Sequence, residues 1–216
     1  MRNLALGIST AAILIGTSAS AGLEATAFTD LNLRAGPGPQ YEVVGVISGS
    51  DKVDVTGCLE TSNWCEVSYN GTTGWAFGDY LSAPVEGEPV AVYENRKVLE
   101  VTTIDNDEEI AKNVTGTAVV GGIVGALIGG PVGAAAGIVA GSATGAVATP
   151  PESVTTYVVT NQLEPVYLNG EVIVGSGLPE SVEIAQIPDS EYGYVYVNGV
   201  RAVVDPTDRT VVYIVR

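Results

Sequence analysis

Between residues 28 and 82 the apolar positions fall in short runs rich in β-branched and aromatic side chains: Tyr41 to Ile47, Lys52 to Cys58, Trp64 to Tyr69 and Gly74 to Phe77. Gly36-Pro37-Gly38-Pro39, Ser48-Gly49-Ser50-Asp51 and Asn70-Gly71 separate them. Short strands punctuated by turn residues predict a small barrel, and Asn-Gly between two such runs predicts a hairpin with a type I′ turn. Residues 83–112 read as an acidic linker, in which Pro89 to Val101 carries two apolar arms around Glu94-Asn95-Arg96 and predicts an added hairpin. From 152 to 216 the β pattern returns at Thr155 to Val159, Glu171 to Gly175, Val182 to Ile187, Tyr192 to Val197, Val200 to Val204 and Val211 to Val215. Asn169-Gly170 and Asn198-Gly199 are type I′ dipeptides, and Asp205-Pro206-Thr207-Asp208 is a further turn, so this end predicts a small antiparallel module.

The middle of the chain follows another rhythm. Residues 113–151 carry no charge, and Gly121, Gly125, Gly129, Gly133, Gly137, Gly141 and Gly145 recur at intervals of four. On a helix that spacing lines the glycines along one stripe, where a second backbone can approach closely. The ten glycines from 116 to 145, at about 0.8–1 kcal/mol each relative to alanine, make such a helix unstable alone in water. Close packing or a lipid environment must supply the difference. Pro131 near the centre breaks the segment into two short arms, which predicts a helical hairpin associated with a membrane through 116–148. A collapsed Gly/Ala linker is the alternative. The expected fold class is therefore mostly β with a central helical segment.

Arg2, the apolar run Leu4 to Gly16 and the small residues ending at Ala21 form a secretory leader over residues 1–21, with a second cleavage point as late as Ala27. Export to the periplasm or cell envelope follows. In that compartment the two cysteines, Cys58 and Cys65, are expected to form a disulfide across a tight hairpin. A formal charge of −16 disfavours nucleic acid and anionic lipid headgroups as partners. The sequence contains no histidine, which removes Ser-His-Asp and Cys-His hydrolases and the common zinc amidases. No phosphate-loop lysine or G-x-S-x-G is present, and the chain is expected to be non-catalytic, with no cofactor and no metal.

DLNLRAGPGPQYEVVGVI followed by GCLETSNWCEVSYNGTTGWAFGDYL resembles a bacterial SH3-type domain over residues 28–82. The resemblance implies a five- to seven-stranded barrel that binds cell-wall peptides or targets a protein to the wall. The glycine repeat resembles glycine-zipper regions of bacterial envelope proteins. PVYLNGEVIVGSGLPESVEIAQIP and YGYVYVNGVRAVVDPTDRTVVYIV, at about 160–216, are similar to a C-terminal domain of unknown function found in exported bacterial proteins, frequently behind an SH3-type domain.

Candidate ligand-binding residues cluster at the first long loop of the barrel. Asn32 and Arg34 begin it, Tyr41 ends it, and Trp64, Trp75 and Tyr80 could wall a groove in which Arg34 meets a peptide carboxylate. Alternatively Arg34 braces the loop through backbone carbonyls. Trp75 is expected in the core and Trp64 nearer the surface. Two functions compete: a module that binds peptidoglycan peptide or an envelope protein and is tethered by the zipper, and a membrane-inserting or self-assembling homo-oligomer with accessory β modules.

Overall fold

The computed structural model of the chain describes residues 22–105, 123–126 and 149–216. The leader, and the zipper glycines other than Gly125, lie outside the described residues.

The N-terminal unit holds nine strands: β1 (Leu23–Ala27), β2 (Leu31–Arg34), β3 (Val43–Ile47), β4 (Lys52–Leu59), β5 (Trp64–Tyr69), β6 (Thr72–Phe77), β7 (Leu81–Val85), β8 (Glu88–Ala91) and β9 (Thr103–Ile104). Their order is β3-β2-β6-β5-β4-β1-β7-β8, with β9 added in parallel to β4. Alternation makes the inside and outside of this sheet. Lys52, Asp54 and Thr56 on β4 face solvent, whereas Val53 and Val55 are buried in one core with Leu31, Leu33, Ile47, Val67, Trp75 and Leu81. The β5–β6 turn has Asn70 at φ 50° and Gly71 at φ 80°, the left-handed pair of a type I′ turn. The expected small antiparallel β unit is present, consistent with an SH3-like domain, and its sheet runs on past residue 82 into β7, β8 and β9.

The hairpin expected around Glu94-Asn95-Arg96 does not form. β8 pairs back onto β7 across Glu86-Gly87, and the chain then turns repeatedly through residues 92–100. Val92 and Tyr93 are buried in the barrel core, and both the backbone N–H and the side-chain amide of Asn95 donate to the Ala91 carbonyl. Burying two consecutive residues bends the chain inward, which an extended arm would not allow.

A helical hairpin is not supported in the central segment. Ile123–Ala126 is a strand, β10, paired in parallel with β11 (Tyr167–Asn169), and Gly125 lies in that strand opposite Leu168. Glycine-rich sequence has little helix propensity of its own, and a neighbouring strand satisfies its backbone groups at no helical cost.

Residues 152–216 also depart from expectation at their start. Glu152–Thr160 is a helix, α1, where the β-branched run predicted a strand. Val154 and Val158, one turn apart, are buried against Ile187, Tyr194 and Val203, and the Tyr157 ring meets that of Tyr194 edge-on at 5.9 Å. Tertiary burial of one helical face overrides β propensity here. Beyond it, β12 (Ala185–Gln186), β13 (Gly193–Val197), β14 (Val200–Asp205) and β15 (Thr210–Val215) form an antiparallel sheet in sequence order. Asn198 at φ 51° and Gly199 at φ 74° close the expected β13–β14 turn. Glu171 to Gly175, expected as a strand, is irregular, and of Val182 to Ile187 only Ala185–Gln186 pairs.

Candidate functional site

The first long loop of the barrel is built around the guanidinium of Arg34. The residue ends β2, where its backbone pairs with Trp75, and its side chain is fully buried. Nη1 donates to the carbonyls of Pro39 at 3.0 Å and Tyr41 at 2.8 Å, which holds the Gly36–Tyr41 loop closed. The Tyr41 ring lies over Gly36 so closely that a Cβ there would come within 2.4 Å of it, so the loop needs glycine at this position. The brace through backbone carbonyls is thus present.

The other edge of the guanidinium meets a carboxylate from far along the chain. Nε donates to Oε2 of Glu171, and Nη2 donates to Oε1 at 2.7 Å and to the carbonyl of Asn198 at 2.9 Å. All five N–H groups of Arg34 are therefore used. Oε1 of Glu171 also accepts from Asn32 Nδ2 at 3.0 Å and from the backbone N–H of Val172 at 2.8 Å. The side chains of Arg34 and Glu171 are both 0% exposed. Two buried charges are tolerable only when paired and saturated with hydrogen bonds in this way.

Asn198, at the tip of the β13–β14 hairpin, completes the junction. Its Oδ1 accepts from Leu168 N–H at 2.8 Å and its Nδ2 donates to the Gly170 carbonyl at 3.0 Å. One turn residue thereby fixes the approach to Glu171 while its own carbonyl caps Arg34.

Aromatic residues wall this junction. Trp64 is 2% exposed, with Arg34 Cζ 6.0 Å from its ring centre and Phe77 edge-on at 5.5 Å. The expectation of a more exposed Trp64 is corrected: it is buried like Trp75, because the pairing of β5 with β6 and the charge of Arg34 both draw it inward. Tyr80 is buried beside Ser176, and its phenol is pushed up to about 12, first by burial and then by the charges of Asp79 and Glu171. Asn32 and Arg34 therefore meet Glu171, with Trp64 beside Arg34 and Tyr80 beside Ser176; Tyr41 contributes its carbonyl, and Trp64, Trp75 and Tyr80 share one buried core. Glu171, Asn198, Ile173 and Ser176 were not anticipated from sequence. The one signal for Glu171 was a single charge inside an otherwise apolar run, LNGEVIVG.

Further contacts join the two units. Ile173 is buried within the barrel's core, and Arg216 at the end of the chain forms an exposed ion pair with Asp30 at 3.4 Å. A cleft of about 450 Å³ opens alongside, lined by Thr29, Asp30, Val174, Tyr213, Ile214 and Arg216.

The disulfide joins Cys58 on β4 to Cys65 on β5, which face each other in register. Near it, Asp79 lies in the short turn Gly78–Tyr80, 4% exposed, with Asn63 donating to Oδ2 and no hydrogen-bond partner for Oδ1 among the described residues. Burial, against the Asn63 hydrogen bond and helped by the charge of Glu94, raises its pKa from 3.8 to about 6. The folded state then holds this proton more tightly than the unfolded chain between those values. The contribution of Asp79 to stability is accordingly present at low pH and declines as pH rises from about 4 to about 6. Asp79→Asn removes that decline: its stability advantage over the wild type should be absent near pH 4 and full above pH 6, read by urea unfolding across the range. An advantage independent of pH would contradict the assignment.

Among the described residues no helix is long and apolar enough to cross a membrane.

The fold and its junction define a class: an SH3-like barrel joined through a buried ion pair to a C-terminal antiparallel β module. Comparison with known proteins agrees with both halves. Residues 29–82 match the bacterial SH3 domain family, and residues 157–216 match a domain of unknown function, DUF1236. The chain is similar to a putative N-acetylmuramoyl-L-alanine amidase of Bacillus subtilis (strain 168), 35% identical over 54 residues, which is 25% of this chain and 10% of the amidase. It is also similar to the probable endopeptidase p60 of Listeria innocua, 36% identical over 70 residues, or 32% of this chain and 15% of that protein. The chain thus spans only a small part of the length of either relative.

Proposed function

We propose that this chain is an exported, non-catalytic envelope protein whose SH3-like barrel binds cell-wall peptide. The observation that carries the reading is the bacterial SH3 match over 29–82, together with similarity to two proteins, one of them named for an N-acetylmuramoyl-L-alanine linkage of the wall. The non-catalytic reading is supported by the lack of histidine and by the engagement of both cysteines in a disulfide. A negative chain suits a neutral or zwitterionic peptide better than a polyanion. Within the uncharged segment, Ile123–Ala126 pairs as β10 beside β11.

Cosedimentation of the full chain with purified peptidoglycan sacculi tests this. The protein should pellet with sacculi and be released by soluble wall peptide. Pelleting no greater than that of an acidic control protein, at any concentration of sacculi, would end the proposal.

A further inference from the structure

We propose that residues Glu171–Ser176 are an internal stand-in for the peptide that the barrel binds. The Arg34 site would then take an extended peptide with a carboxylate followed two residues later by an aliphatic side chain. This deepens the wall-binding reading and rests on it.

Glu171–Ile173 lies in no strand; it leads from Gly170, at φ 100°, into a turn at Val174-Gly175 closed by the Ser176 N–H donating to the Ile173 carbonyl, after which Gly175 and Ser176 bond with Val211 of β15. Its side chains alternate. Glu171 and Ile173 point into the barrel, Val172 packs in the core of its own module, and Val174 is exposed. Over Glu171–Ile173, ahead of the turn, this is how an extended peptide lies in a groove, with every second side chain in a pocket. Glu171 fills the Arg34 and Asn32 pocket, Ile173 enters the barrel core, and Ser176 meets Tyr80.

The receiving edge is prepared by the barrel itself. The Pro39 and Tyr41 carbonyls clamp Nη1 of Arg34, which presents Nε and Nη2 outward in the geometry a carboxylate needs. Asn32 comes from the same strand. An interface needed only for adhesion gains nothing from a buried ion pair over apolar residues of similar volume. A preorganised carboxylate receptor has a use for one. While Glu171 occupies the site, a peptide in trans binds only the open fraction, and its apparent affinity falls by that fraction.

The test uses the full chain and soluble muropeptides cut from purified peptidoglycan. Glu171→Gln keeps the shape but loses the charge, and should bind muropeptide at least about tenfold more tightly than the wild type. The gain should vanish in the double variant Arg34→Met/Glu171→Gln. A folded Glu171→Gln protein that binds no better than the wild type overturns the inference. In parallel, hydrogen exchange of the wild-type chain should show faster exchange at 171–176 when muropeptide is bound, which keeps the inference testable if the variant does not fold. Binding with unchanged protection at 171–176 removes the stand-in and leaves the wall-binding reading intact; absence of binding by wild type and variants removes both.

Discussion

Arg34→Met should lower the unfolding free energy of the full chain by about 3–5 kcal/mol, among the largest effects expected of a single substitution. The cost arises because Glu171 stays buried while two of its hydrogen bonds are gone, leaving only Asn32 and the Val172 N–H to hold a full negative charge. The loop carbonyls of Pro39 and Tyr41 lose their donor in the same change. Arg34→Lys should recover little, since one ammonium cannot reach two carbonyls of the loop, both carboxylate oxygens and Asn198 together. Arg34→Met/Glu171→Met should recover most of the loss, because two apolar side chains remove the buried charges as a pair. Urea unfolding offers a clean readout: both tryptophans, Trp64 and Trp75, lie in the barrel, so fluorescence follows that unit while far-ultraviolet circular dichroism follows the whole. The wild type should give coincident transitions and Arg34→Met separate ones. A loss below about 1 kcal/mol would place the pair in the range of surface ion pairs and contradict its burial.

The second large effect belongs to the disulfide. Cys58 and Cys65 are separated by seven positions, and for so short a loop the chain-entropy account gives about 2–3 kcal/mol. Both positions are fully buried in the barrel core, beside Gly78, where an added Cβ would fall 2.6 Å from the Cys65 sulfur. Cys58→Ser/Cys65→Ser should therefore lose at least the entropic part, with a further penalty for two hydroxyls in apolar surroundings. Reducing the wild type with dithiothreitol should reproduce the entropic part alone. If reduced and oxidised wild type unfold at the same urea concentration, the bridge contributes nothing and the barrel core alone sustains the fold.

The barrel was readable from its sequence because its signals are local. Alternation on β4, the Asn70-Gly71 pair and the facing cysteines each specify their surroundings within a few residues. The β13–β14 hairpin was legible for the same reason. The errors came where distant contacts decide. Thr155 to Val159 has β propensity, yet Val154 and Val158 find a buried face only as a helix. Gly125 fits a helical stripe, yet a strand at Tyr167–Asn169 offers it partners. The candidate site was half legible. Asn32, Arg34, Tyr41, Trp64 and Tyr80 were named from the first long loop and the aromatic residues around it, but the carboxylate that Arg34 meets lies 137 positions away. No periodicity in a sequence announces a carboxylate at that distance.

The saturation of Arg34 also limits what can be done with this barrel elsewhere. Cut out and spliced into a foreign host, it would carry away a guanidinium with two satisfied donors on Nη1 and three naked ones, and an empty slot where Ile173 had been. Such a transplant would crave whatever acidic, greasy tail its new neighbour happened to offer. Portability, the usual virtue of a small β-barrel, has here been exchanged for fidelity to one companion.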